Sequence, residues 1–117
     1  MKKKLYDAMI GDLENFISNC VLELISVEHG AKKLDSGLEE PFTRLELEIP
    51  RGNGIYSRCR FSCKLPPTVF NLSAEQLDDG VRVSLTNFHV TYISGNHEIY
   101  SKAEAVQFVQ EEESYDL

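Results

Sequence analysis

The chain has 117 residues, a net charge of −7, 42% hydrophobic and 26% charged residues. That length fits one domain. A chain of this size buries roughly two thirds of its unfolded surface, so a core forms without a disulfide framework or structural metal. The acidic balance excludes strong long-range steering toward nucleic acid by overall charge, and no apolar run is long enough to span a bilayer.

The N-terminus MKKKLYDAMIGDLENF starts with lysines, but Asp7, Asp12 and Glu14 interrupt the apolar stretch that a signal peptide needs. A soluble, cytoplasmic protein is the expectation. Leu5, Met9, Leu13, Phe16 and Ile17 recur at helical spacing and form one apolar stripe, which either packs on a sheet or meets a partner. The odd set Cys20, Cys59 and Cys63 is a poor disulfide framework and reads as buried free thiols.

Five strands follow. The first, residues 19–28, is nearly continuous in apolar residues, as a strand buried on both faces would be. HGAKKLDSGLEEP, residues 29–41, reads as a loop. The second strand, 42–49, alternates: Leu45, Leu47 and Ile49 on one side, Arg44, Glu46 and Glu48 on the other. Pro50-Arg-Gly-Asn-Gly54 is a turn. The third strand, 55–65, carries Ile55, Cys59, Phe61, Cys63 and Leu65 inward and Tyr56, Arg58, Arg60 and Lys64 outward, and Pro66-Pro67 ends it. Ser73-Ala-Glu-Gln76 matches a capping box and Gly80 stops the short helix. The fourth strand, 81–93, turns Val81, Val83 and Leu85 inward, then Phe88, Val90 and Tyr92, so a bulge or bend is needed near Thr86-Asn87. After a turn at Ser94-Gly-Asn-His97 the fifth strand covers 98–109. Phe61, Phe88 and Phe108 are assigned to the core.

This order matches the oligonucleotide-binding (OB) fold, a five-stranded Greek-key barrel with a short helix between strands three and four, here with an added N-terminal helix. An SH3-like barrel and an open α+β meander are the competing architectures. Residues 80–109, GVRVSLTNFHVTYISGNHEIYSKAEAVQFV, resemble the last hairpin of small phage and plasmid single-stranded DNA-binding proteins of that fold. The ending VQEEESYDL is similar in kind to their acidic tails, without the Phe-rich finish of the bacterial housekeeping proteins. The resemblance implies one domain over residues 1–110. It also implies a partner-recruiting tail over 111–117, with Glu111, Glu112, Glu113, Tyr115, Asp116 and Leu117 as its contacts.

The segment RGNGIYSRCRFSCKL, residues 51–65, gathers basic residues and holds no acid. On an OB barrel, strands two and three form the nucleic-acid face. Arg51, Tyr56, Arg58, Arg60 and Lys64, extended by Arg44, supply cations for phosphates and a ring for base stacking. Tyr92, Tyr100 and Lys102 flank the last turn, where such barrels grip ligand. The rival reading is a charge-paired surface: a five-residue turn would set Glu46 opposite Arg58 and Glu48 opposite Tyr56, a solvated ladder.

No catalytic constellation is visible. His29, His89 and His97 join no nucleophile motif. Cys59 and Cys63, four apart on a strand, sit about 13 Å apart, too far to share a zinc. The expectation is a non-enzymatic protein without cofactor or metal that binds single-stranded nucleic acid, with DNA favoured and little sequence preference, in a phage or other mobile element. The alternative is a protein-interaction module without nucleic-acid affinity. An exposed edge strand would also allow a homodimer.

Overall fold

The computed structural model describes residues 2–96 and 98–109. The protein is mainly β, a curled seven-stranded sheet with two helices, and its strands run in the order β5-β6-β3-β2-β1-β4-β7. The elements are α1 (Lys2–Ser18), β1 (Leu22–Lys33), β2 (Glu39–Glu48), β3 (Arg60–Leu65), α2 (Ala74–Asp79), β4 (Val81–Thr86), β5 (His89–Ile93), β6 (Ile99–Lys102) and β7 (Ala105–Phe108). No helix among the described residues is long and apolar enough to cross a membrane. The acidic tail, residues 111–117, and His97 lie outside the described residues, as do the side chains of Leu5 and Met9.

The expected first strand is not buried on both faces. Leu22 and Leu24 are buried, Val21 is exposed, and Val27 packs against the core from the opposite sequence parity. The register with β2 shifts between Leu24 and Ser26, so Ile25 is a bulge residue. A bulge inserts one residue and moves the inward set from even to odd positions. The continuous apolar run is thus two half-buried stretches joined by a parity change.

Residues 29–41 are not a loop either. β1 and β2 pair as far as Lys33 with Glu39, and the turn is closed by Leu34 N–H to Leu38 O (2.8 Å) and Gly37 N–H to Leu34 O (2.9 Å). Charged residues and Pro41 made this segment look irregular, but Lys32 faces Glu40 and Lys33 faces Glu39, cross-strand pairs that suit an exposed hairpin.

The β2–β3 connection is longer than the expected five-residue turn. Ile49 exchanges backbone hydrogen bonds with Arg58 and Cys59, and Gly54–Tyr56 forms one 3-10 turn. β3 therefore starts at Arg60, and Ile55 is 88% exposed rather than inward. Glu48 faces Arg60 and Glu46 faces Ser62. The expected register slips by four residues, an even number, which leaves the side chains of Arg60–Leu65 on their expected faces.

The two last strands each break in two. β4 pairs with β1 and β7, whereas β5 pairs with β6, which in turn pairs in parallel with β3. The bend falls at Asn87, with φ 52°, in the left-handed region that Asn tolerates. A second shift, between Val90 and Tyr92, turns Tyr92 outward instead of inward. Phe88 is buried and meets Phe61 edge-on at 5.7 Å, as expected of core rings. Phe108 is 51% exposed and leans on Phe70, because it sits on edge strand β7.

α2 carries both halves of its capping box: Gln76 N–H donates to Ser73 Oγ (3.1 Å) and Ser73 N–H to Gln76 Oε1 (2.8 Å). Leu13 and Ile17 of α1 join the core with Leu22, Leu45, Leu47 and Val83. All three cysteines are free; Cys63 is buried, Cys20 and Cys59 half-buried.

Ile17 is fully buried. Ile17→Ala should cost about 2–5 kcal/mol, read as a lowered urea midpoint at unchanged m-value. Burial pushes the Cys63 thiol from 9.0 up to about 11. The folded state then holds this proton more tightly than the unfolded chain. Its contribution is intact below the unfolded pKa and is lost as pH rises between those two values. Denaturant titrations of wild type and Cys63→Ala across that window should converge as pH rises.

Candidate nucleic-acid interface

The outward side chains of β1, β2, β3, β6 and β5 line up in rows across the strands. One row runs Glu28, Arg44, Lys64, Lys102, His89. The next runs Ser26, Glu46, Ser62, Tyr100, Tyr92. At the end of β2, Glu48 faces Arg60. Between the β1–β2 side and β6 lies an open groove of about 420 Å³, with Arg44, Glu46, Arg60 and Tyr100 in its walls and Ser62 between them. That volume falls in the range of about 300–1,000 Å³ common for small-molecule sites.

The two ends of this face differ in charge. Arg60 Nε meets Glu48 Oε1 at 3.0 Å and its Nη1 meets Glu46 at 3.7 Å, while Arg58 Nε meets Glu48 Oε2 at 3.7 Å. Glu48 is nearly buried, and its hydrogen bond and charge push the Arg60 guanidinium pKa further up. Arg58 has a φ of 67°, a left-handed conformation beside the Ile49 pairing. Arg58 and Arg60 are therefore charge-paired: Glu48, expected opposite Tyr56, meets both, and Glu46, expected opposite Arg58, meets Arg60.

The other end is different. Among the described residues, Arg44, Lys64 and Lys102 make no ion pair. Two of them instead hold the Phe42 ring: the Arg44 guanidinium lies 5.1 Å and the Lys64 ammonium 4.7 Å from its centroid. Phe42 sits opposite Gly30, where a Cβ would come within 2.6 Å of the ring. Glycine at this strand position lets the ring lie against the backbone.

Beside the cations, Tyr92 and Tyr100 stack at 6.1 Å and 28°, with 59% and 38% of their surfaces exposed. The Tyr100 hydroxyl donates to Glu98 Oε2 at 2.7 Å. That bond and the carboxylate charge push the Tyr100 pKa up, against the smaller opposite effect of Arg44.

Of the nine expected contact residues, Arg44, Lys64, Lys102, Arg60, Tyr92 and Tyr100 share this face. Arg51 lies in the β2–β3 connection, off the groove. Tyr56 does not project beside Arg58, because its segment is a 3-10 turn and not a strand; its ring packs on Phe16 of α1 at 4.8 Å. Arg58 is held by Glu48. Sequence reading missed Phe42, although Phe42 shares parity with Arg44, and missed the carboxylates Glu28 and Glu98 in the groove wall. No cluster of metal-ligating side chains occurs among the described residues.

No family model, curated protein or solved structure matches the chain.

The ring tip that a Gly30 Cβ would meet can swing away. Gly30→Ala should therefore change stability by only about 1 kcal/mol or less, no more than a typical point substitution. It should also lift Phe42 off the backbone. Ring-current shifts of the Arg44 Hδ and Lys64 Hε protons, measured by NMR, should collapse toward unshifted values in this variant and persist in wild type.

Proposed function

We propose that this chain is an OB-type barrel that binds single-stranded nucleic acid, most simply DNA, across β2, β3 and β6, as an accessory protein of a phage or other mobile element. The strand pairing supports the OB reading. β1, β2 and β3 form a meander, β3 runs parallel to β6, and β4 returns to β1. If β4 with β5, and β6 with β7, count as one bent strand each, the ladder passes through one, two, three, five, four and back to one, with α2 between three and four. The origin in a mobile element rests on the resemblance of residues 80–109 alone.

The observation that carries the functional reading is the row Arg44, Lys64, Lys102. Like charges directly opposite on neighbouring strands destabilise a sheet. A chain of net charge −7 has carboxylates available to neutralise them, as it does for Arg58 and Arg60. An anionic ligand explains why this row is left open. The exposed Tyr92–Tyr100 pair next to it supplies stacking, worth about 1–3 kcal/mol per base. Phosphate on the cations and base on the rings is the chemistry of a single-strand binder.

The ion-paired end favours a second reading, a protein-interaction module. Arg58 and Arg60, the two most prominent cations of the sequence, are already neutralised. In that case the free row would meet an acidic protein surface.

Fluorescence anisotropy of a labelled mixed-sequence oligonucleotide across a salt series separates the two. Three phosphate contacts give a log–log slope of about −2, at about −0.7 per contact. Lys64→Ala and Lys102→Ala should each make that slope shallower by about 0.7. Absence of binding at low salt by folded protein overturns the nucleic-acid reading and leaves the protein-interaction one.

A further inference from the structure

Resting on the nucleic-acid reading above, we infer that the groove selects bases bearing an exocyclic amine, guanine foremost, and discriminates against thymine and uracil, with Glu46 as the residue that reads the base.

The groove is not a uniformly cationic channel. Glu28, Glu46 and Glu98 line it together with Arg44 and Arg60. Such a surface is poorly suited to holding only phosphates. It is suited to reading a base edge that presents donors.

The register fixes where a base would lie. Tyr100 lines the groove and Tyr92 does not, so Tyr92 backs the ring on the far side. Beside Tyr100, on β3, stands Ser62, and beyond it, on β2, stands Glu46. Strands are about 4.8 Å apart, so Tyr100 and Glu46 are separated by about 10 Å of backbone with only a small side chain between them. A base stacked on Tyr100 therefore lies over Ser62 with its edge toward Glu46. The cation row is two residues further along the strands, about 7 Å away, where the phosphate of the same nucleotide can be met.

The Glu46 carboxylate is available to such a base. Its Oε1 is 3.7 Å from Arg60 Nη1, and its Oε2 accepts a long 3.4 Å hydrogen bond from Ser26 Oγ. Arg60 makes its closer contact with Glu48 instead. Guanine offers N1–H and N2–H2 side by side, and one carboxylate accepts from both. Cytosine and adenine offer one amino group. Thymine and uracil turn carbonyl oxygens toward the carboxylates on both sides of N3–H. Glu28 and Glu98 on the flanking walls add to that mismatch.

Three unstructured oligonucleotides of equal length separate the outcomes at one low salt concentration: oligothymidine, alternating thymidine–guanosine and alternating thymidine–cytidine. The guanosine oligomer should bind about tenfold tighter than oligothymidine, the ratio expected of one good bidentate base contact, with the cytidine oligomer between them. Glu46→Gln, isosteric and half-exposed, should bring that ratio to within about twofold. Equal binding of all three, or tightest binding of oligothymidine, overturns the inference and leaves the nucleic-acid reading standing. An unchanged ratio in the Glu46→Gln protein overturns it as well. If none of the three binds, the underlying reading falls and the inference with it.

Discussion

At Asn87 the chain adopts a φ of 52° and its side-chain amide donates to Glu104 Oε2 at 2.7 Å, while Glu104 N–H reaches back to Thr86 O at 2.9 Å. This clasp joins the bend between β4 and β5 to the bend between β6 and β7. Each long strand can then serve two neighbours. β4 lies against β1 and β7, β5 and β6 lie together, and β6 meets β3. Without the corner, Tyr100 and Lys102 would not be carried to the edge of β3, and the groove would have one wall. Buried Phe88 follows the corner directly and anchors it against Phe61. An αL residue and one side-chain bond thus set β5 and β6 beside β3, at a site where Asn is among the few residues that tolerate the backbone.

The sequence makes some of this legible and conceals the rest for identifiable reasons. Short periodic signals carry through: the alternation of β2, the capping box of α2, the parity break near Asn87 and the apolar pair Leu13 and Ile17 of α1. The errors come from features that alternation does not encode. The bulge at Ile25 makes two half-buried stretches look like one fully buried strand. The β1–β2 hairpin runs through residues with weak strand propensity because cross-strand charge pairing and a closed turn support it. The β2–β3 connection takes in Ile55 and Tyr56, whose side chains suit a strand, and removes Tyr56 from the face. Phe42 belongs to the site only through its partner Gly30, and that pairing is invisible until the hairpin register is known.

The magnitudes on the open row are small enough to be carried by one ring. Two unit charges about 5 Å apart in water repel by about 0.8 kcal/mol. Each exposed cation–π contact returns about 0.5–1 kcal/mol. Phe42, shared by Arg44 and Lys64, therefore offsets their mutual repulsion without neutralising either charge. Among the described residues, Lys102 has no such ring contact. The row therefore keeps its positive charge, which an ion pair would have removed.

The ion-paired end of the face serves a different purpose. Glu48 is almost buried, and two arginines meet it, so its charge is compensated where solvent is scarce. That pairing fixes the start of β3 against β2, just where the 50–57 connection gives way to the regular ladder. The face is divided into a structural half and an open half, with Glu46 and Ser62 at the junction. Screening over about 8 Å at physiological salt separates the open row from much of the protein's acidic remainder. A ligand would thus feel the local cations and rings rather than the net charge. On the proposed nucleic-acid reading, affinity would depend on stacking and short-range phosphate contact more than on electrostatic steering.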